Sequence, residues 1–411
     1  GIEMFKELKV IKLLVILGLL ITLLYSIKPE KLAGLYIITN KSSYEKGDTL
    51  RLFFKTGVSL DYAGEVSIKN IVTDKVVSEL KVEFKNQGIT ESNIIEKGFG
   101  TGYSTETIID DKFVPGIYSV DNVTTFIVSN NNKSDITIVY PYISSLLLES
   151  YDSENALNSE VRSVSQLRSV SIDKFTDNWL PFFKWLEDNY QVNYITDLQL
   201  ENLSNYKKSK CLFVYGNSAF WTKKMKSSFL RYYDNGADVL VASTYLMNNV
   251  IWNDEKNNRL LFNEEGTQNG FTSWRAADGS PVLEEVGMSY TLGSKGFRTS
   301  RFSIKNDNHA LFSNVSDSIF ELSLAQFIGY PLTATNSYYH GFDFFNVDLI
   351  ATSAIDGFND RTLGMLELKK DSLSGTIISL GTSEWAEQEG FKTKGSLFKI
   401  AQNAAAYLIQ F

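Results

Sequence analysis

The side chains able to do chemistry are few in this chain. It holds two histidines and one cysteine, with 48 acidic against 40 basic side chains. One cysteine excludes a disulfide framework and a cysteine-based zinc site. Two histidines make a multi-histidine metal centre a poor expectation, and no cofactor motif is present. The net charge of −8 argues against a nucleic-acid partner. What remains is one serine, two imidazoles and a group of carboxylates. Tyr215-Gly216-Asn217-Ser218-Ala219-Phe220 echoes the nucleophile elbow G-x-S-x-G, whose glycines permit a strained turn with an exposed serine. His340 or His309 could act as the base, with Asp343 or Asp348 orienting it. Phe220 stands at the elbow's second glycine and should crowd that turn, so Ser218 as a helix N-cap is the simpler reading. Glu384, Glu387 and Glu389 could bind a hard cation or work as acid and base. A solvated cluster at a helix start is simpler, because acidic residues favour helix N-termini.

Flat aromatic faces are the other candidate chemistry. Tyr338, Tyr339, His340, Phe342, Phe344 and Phe345 lie within one short stretch. Such a platform binds sugars or apolar rings, and His340 adds a donor. A buried β-rich core is the competing reading. Cys211 sits among apolar neighbours and reads as an inert core thiol.

The elements that must position these residues fall into two patterns. From 33 to 142 the pattern is alternation. Strands are expected at 35–38, 50–54, 65–68, 75–82, 116–120 and 135–140, with turns at Gly47-Asp48, Thr73-Asp74 and Pro115-Gly116. This spacing predicts a small immunoglobulin-like β-sandwich. From 143 to 411 strands and helices alternate. Asp177 to Tyr190 reads as a helix with Asp177 as N-cap and Pro181 in its first turn. Strands follow at 192–196, 210–215, 237–243 and 375–381, with helices at 197–203, 222–234 and 394–410. That rhythm predicts an α/β domain with a mostly parallel, doubly wound sheet. The Gly- and aromatic-rich stretch 245–370 reads as a β-rich insertion around the C-terminal strand ends.

Ahead of both lies a leader, residues 1–27. Leu13 to Tyr25 carries no charge, with Lys6, Lys9 and Lys12 before it and Lys28 and Lys31 after. It reads as a membrane anchor or a signal segment, with a poor cleavage site favouring the anchor. The basic N-terminal flank places the body outside the cytoplasm. A cysteine-poor body in that compartment fits a bacterial cell envelope.

The order of segments in the second domain carries a resemblance. Trp185-Leu186-Glu187, Tyr190, Val192, Tyr194 and Thr196-Asp197 lead to Gly216-Asn217-Ser218-Ala219-Phe220-Trp221-Thr222, then to Gly236-Ala237-Asp238-Val239. Asn248-Asn249-x-Ile251-Trp252 and Gly381-Thr382-Ser383-x-Trp385 follow. This series resembles the C-terminal domain of the N,N-dimethylformamidase large (beta) subunit, whose fold is class I glutamine amidotransferase-like. The resemblance implies C–N hydrolysis at an iron centre held by tyrosine, histidine and glutamate. It places the histidine and glutamate at Asn217 and Ala219, where asparagine is a weak iron ligand and alanine cannot ligate. Tyr151 or Leu157 would occupy the tyrosine position. Asn308-His309-Ala310-Leu311-Phe312 resembles a structural turn of amidotransferase-like folds.

The resulting expectation is a membrane-anchored extracytoplasmic protein with a degenerate hydrolase-like domain. It would bind a small molecule or glycan, or act as a scaffold, with Tyr215, Asn217, Trp221, Tyr339 and His340 at the ligand. The alternative is a divergent amide or ester hydrolase using Ser218, His340 or Glu384.

Overall fold

The computed structural model describes residues 34–57, 61–85, 94–99, 102–148, 161–206, 209–263, 298–317, 319–324, 346–355 and 358–410, with short pieces at 88, 272–274, 288–289 and 330–331. The leader, the Tyr151–Leu157 stretch, Tyr339, His340 and Asp343 lie outside the described residues. Among the described residues no helix is long and apolar enough to cross a membrane.

The first unit is a pair of small sheets. Strands β1 (Leu35–Thr39), β3 (Thr49–Thr56) and β6 (Tyr103–Ile108) form one. Strands β2 (Ser43–Tyr44), β4 (Tyr62–Asn70), β5 (Lys75–Phe84), β7 (Gly116–Val120) and β8 (Thr124–Val128) form the other, in the order β2-β8-β7-β4-β5. On β3 the burial alternates, with Leu50, Leu52 and Phe54 inward. They share a core with Val66, Ile68, Tyr118 and Phe126. The Tyr118 hydroxyl donates to the Val114 carbonyl at 2.7 Å, tying the Pro115 turn to its strand.

The strand expected to close this unit does something else. Strand β9 (Ser134–Tyr140) lies inside the large sheet of the second unit, parallel to both its neighbours. Its run Ile136-Thr137-Ile138-Val139-Tyr140 is buried on both faces, the pattern of a parallel-sheet strand rather than of a half-exposed one. The chain therefore enters the second unit at Ser134, not after residue 142.

The large sheet adds β10 (Val192–Thr196), β11 (Ser209–Trp221), β12 (Asp238–Val250), β13 (Arg298–Ile304), β14 (Ile319–Leu324), β15 (Asn346–Ile355), β16 (Phe358–Lys369) and β17 (Thr376–Ser379). Their order is β10-β9-β11-β12-β17-β16-β15-β13-β14, with Thr272–Ser273 pairing onto β12. The five strands from β10 to β17 are parallel. The other four run antiparallel beyond them. The described strands β13 to β16 of the stretch 245–370 thus extend the sheet sideways instead of decorating its strand ends.

Helix α1 (Tyr142–Leu148) and helix α2 (Lys174–Asn189) connect β9 to β10. A 3-10 segment (Asp197–Tyr206) leads to β11, helix α3 (Lys223–Asp234) to β12, and helix α4 (Ser396–Gln410) ends the chain. The step from β9 to β10 runs opposite to the steps β10 to β11 and β11 to β12. Right-handed crossovers then put α2 on one face and the 3-10 segment with α3 on the other. Contacts agree: α3 packs on the 3-10 segment, and α2 meets α4 through Phe182 and Phe398, 5.7 Å apart.

Helix α2 begins earlier than its apolar periodicity predicts. Asp173, not Asp177, is the N-cap and accepts from the Thr176 N–H. Phe175 and Thr176 are already buried, so burial of the first turn recruits residues ahead of the Trp179 repeat. Pro181 consequently stands inside the helix rather than in its first turn.

Candidate functional site

The parallel strands run β10-β9-β11-β12-β17, the doubly wound order in which ligands bind where the winding reverses, beyond the carboxyl ends of the first and third strands. Here that crevice lies between the ends of β9 and β11, at Tyr140-Pro141 and Tyr215-Gly216. Gly216 has φ +73°, and a Cβ there would sit 3.1 Å from Pro141 Cγ. Glycine is therefore required for the two strand ends to approach.

A buried hydrogen-bond chain crosses this crevice. The Asp173 carboxylate accepts from Thr176 N at 2.9 Å, Thr176 Oγ1 at 2.6 Å and Ser145 Oγ at 3.2 Å. Thr176 Oγ1 also lies 2.7 Å from the Tyr215 hydroxyl. Asp173 is buried, and desolvation raises its pKa above the ordinary aspartate value. Asp197 directly follows β10 and is 1 % exposed. Its carboxylate accepts from Ile143 N, at the start of α1, and from Leu198 N. Burial pushes its pKa well up as well. The first turn of α1 is where an anionic ligand would dock in this architecture. Asp197 already holds an N–H of that turn. The Tyr140 hydroxyl, buried nearby, faces the Ser145 and Thr125 hydroxyls.

The sequence-predicted residues fall around this cluster in unexpected ways. Ser218 is neither a helix cap nor an exposed elbow serine. Strand β11 continues past Gly216 to Trp221, paired with β12 as far as Val250 through two register shifts. Ser218 is 2 % exposed and its Oγ points back to the Tyr215 carbonyl at 3.5 Å. Thr222 caps α3 instead, accepting from Met225 N. Apolar burial explains the extension, since Ala219, Phe220 and Trp221 all enter the core.

Tyr215 and Trp221, expected at a ligand, are both fully buried. Trp221 stacks edge-on against Phe229 at 5.2 Å, a packing role. Asn217 is the partly exposed member, and its Oδ1 accepts from Ala219 N. Tyr339 and His340 lie outside the described residues.

Glu384 is the largest departure from expectation, because it is fully buried rather than solvated. It sits in the 3-10 turn Ser383–Glu387 that follows β17, capped by Thr382. Trp179 Nε1 donates to the Ser383 carbonyl at 3.2 Å, and Trp385 Nε1 to Leu397 at 2.9 Å. Two indoles thus hold the turn against α2 and the start of α4, which draws Glu384 inside. Glu387 is half-buried and Glu389 exposed.

His309 is committed elsewhere. Its Nδ1 accepts from Leu311 N, so Nε2 carries the proton and donates to Glu367 at 2.6 Å. The Tyr407 hydroxyl donates to the same carboxylate at 3.2 Å. His309 therefore acts as a turn cap that ties β16 to α4. Its hydrogen bond holds the Glu367 carboxyl below the usual range. That stabilisation is complete above the ordinary glutamate value of 4.5 and is lost as pH falls through the lower folded value. Glu367→Gln is expected to lower stability by about 1–3 kcal/mol at pH 7, with the deficit closing toward pH 3. Urea unfolding of both proteins at the two pH values checks it. Cys211 is buried and its thiol pKa is pushed up, as an inert core thiol requires.

Nothing in the sequence marked Asp173 as a crevice residue, and only one pattern marked Asp197. An aspartate just after an apolar strand, as in Ile195-Thr196-Asp197, is the one pattern that pointed there. Among the described residues no group of three His, Cys, Asp or Glu side chains could hold a metal ion.

No known protein family matches the sequence, and no curated protein matches it. Solved structures give distant similarities. A β-galactosidase from Bacillus circulans sp. alkalophilus is 10% identical over 66% of this chain and 31% of its own, with a TM-score of 0.37. A ThuA-like protein from Bacteroides uniformis is 12% identical over 68% of this chain and 92% of its own, also at 0.37. An exo-β-1,4-mannosidase from an Opitutaceae bacterium is 9% identical over 66% and 35%, at 0.35. The chain spans about a third of the galactosidase and mannosidase chains it matches. At TM-scores below 0.5 these similarities define neither the fold family nor the activity of this chain.

Proposed function

We propose that this protein is a membrane-anchored, extracytoplasmic binding or scaffold protein built on a degenerate hydrolase-like domain of class I glutamine amidotransferase-like type. The observation that carries this reading is the internal commitment of the crevice carboxylates. Asp197 holds the first turn of α1 and Asp173 the first turn of α2. A carboxylate that accepts hydrogen bonds from its own helix ends is a structural anchor, unable to activate water without releasing them. The Ser218 hydroxyl is directed at its own strand, and Asn217 and Ala219 stand where the resembling amidases have iron ligands. The leader supports the anchor, and the paired sheets ahead of the α/β unit support an immunoglobulin-like module.

The second reading, a divergent amide or ester hydrolase, draws on Glu384. A carboxyl sealed beside the C-terminal edge of the sheet is the type of group that acts as a general acid.

Incubation of the full chain with p-nitrophenyl acetate and with dimethylformamide separates the two. The expected result is no turnover above buffer and no stoichiometric iron. Turnover that disappears in Ser218→Ala or Glu384→Gln, or one iron per chain, would replace the binding reading with the hydrolase.

A further inference from the structure

A groove of about 760 Å³ opens at the opposite edge of the sheet, where β11 and β12 begin. One of its walls is a face of α3. Lys224, Ser227, Ser228 and Arg231 recur there at helical spacing, so they share one side of the helix. The apolar side of α3, with Met225 and Phe229, is turned to the core. The 3-10 segment lines the groove through Glu201 and Asn202, and β11 through Ser209 and Lys210.

Most polar groups around the groove are already engaged. Glu201 accepts from Thr222 Oγ1 at 2.6 Å, and Lys210 pairs with Asp135 at 3.4 Å. The last-turn carbonyls of α3 accept from Asn235, Gly236, Ala237 and Gly375. Their partial negative charge is thereby offset at that end of the groove. Lys224 and Arg231 differ, having no ion pair among the described residues. They stand seven residues apart, about 10 Å along the helix. Between them the short side chains of Ser227 and Ser228 leave room; the Ser227 hydroxyl donates to the Lys224 carbonyl at 3.2 Å, and Ser228 supplies the donor. The groove is locally basic in a chain whose net charge is −8.

We propose that this groove binds a metabolite-sized phosphorylated ligand, with Arg231 and Lys224 flanking the phosphate and a serine hydroxyl donating to it. Arg231 offers a forked donor set suited to a phosphate, and Lys224 a point charge. The volume lies within the range of small-molecule sites, about 300–1,000 Å³, and exceeds what a bare ion needs. The site is independent of the crevice at the other edge, so the two readings stand or fall separately.

Calorimetry on the full chain with glucose 6-phosphate, glucose and inorganic phosphate tests it. Glucose 6-phosphate is expected to bind saturably, more tightly than inorganic phosphate, with glucose silent. The double variant Lys224→Gln/Arg231→Gln should weaken it at least tenfold and leave the unfolding midpoint unchanged, since both side chains are exposed. Raising salt from 50 to 500 mM should weaken the parent and not the double variant. Equal affinity in parent and double variant would overturn the proposal. So would absence of glucose 6-phosphate binding, or equal binding of inorganic phosphate.

Discussion

Trp179→Ala should lower stability by about 3–5 kcal/mol, the range for emptying a large aromatic site in a packed core. Trp179 is fully buried. Its ring lies 5.5 Å from Phe182, 5.2 Å from Phe213 and 5.0 Å from Phe391, each in an edge-on arrangement. Those three rings belong to α2, to β11 and to the segment before α4. One indole therefore joins the sheet to two of the elements that cover it. The hydrogen bond to the Ser383 carbonyl adds a second loss, because that carbonyl would be left buried. Urea unfolding should show the lower midpoint. Trp179→Phe should recover most of the stability, but not the hold on the Ser383–Glu387 turn. That difference is readable as faster amide exchange at Glu384 and Trp385. Equal exchange in both proteins would show that the indole N–H does not position the turn.

The second large effect belongs to Asp173. Asp173→Ala removes the N-cap of α2, which costs about 1 kcal/mol. It also strips the acceptor from Thr176 Oγ1 in a buried site, adding about 1–3 kcal/mol, while Ser145 Oγ keeps its 2.8 Å bond to the Pro141 carbonyl. A total of about 2–4 kcal/mol is expected. Asp173→Asn should lose less, since an amide oxygen can still cap. Its deficit should also depend on pH. Burial raises the Asp173 pKa above the ordinary aspartate value of 3.8. A raised folded pKa means the folded state holds its proton longer than the unfolded state. The stability this supplies is complete below the unfolded value and is lost as pH rises through the folded one. The parent therefore weakens across that window while the Asn variant does not, so the deficit of Asp173→Asn should shrink as pH rises. Asp197 has the same sign, so the variant removes only part of the parent's slope. Denaturation series from pH 4 to pH 7 measure both. A deficit that grows with pH would contradict the assigned direction.

Both predictions rest on residues whose types were visible in the sequence and whose roles were not. The apolar repeat of α2 pointed to Trp179 as a core residue. Nothing local indicated that its N–H reaches a carbonyl 204 positions away. Asp177 looked like the cap because it directly precedes the repeat. Asp173 is the cap because the first helical turn is itself buried against Ser145 and Tyr215. Ser218 read as a cap or nucleophile because Gly216 suggested a turn. The strand continues because β12 offers a parallel partner beyond Gly216, across two register shifts, information held about thirty positions downstream. Glu384 read as solvated by composition and is buried because two indoles pull its turn inward.

The sequence by itself determined the alternation of strands and helices, the parallel core run from 192 to 243, the inert Cys211 and the poverty of catalytic side chains. These follow from periodicity and residue type, which are local quantities. Tertiary structure decided that β9 joins the second unit, that β13 to β16 widen the sheet, and that the crevice carboxylates face helix ends. Each of these depends on which element lies alongside another. Burial and hydrogen-bond partnership across a hundred or more residues settle that, and no local window of sequence contains it.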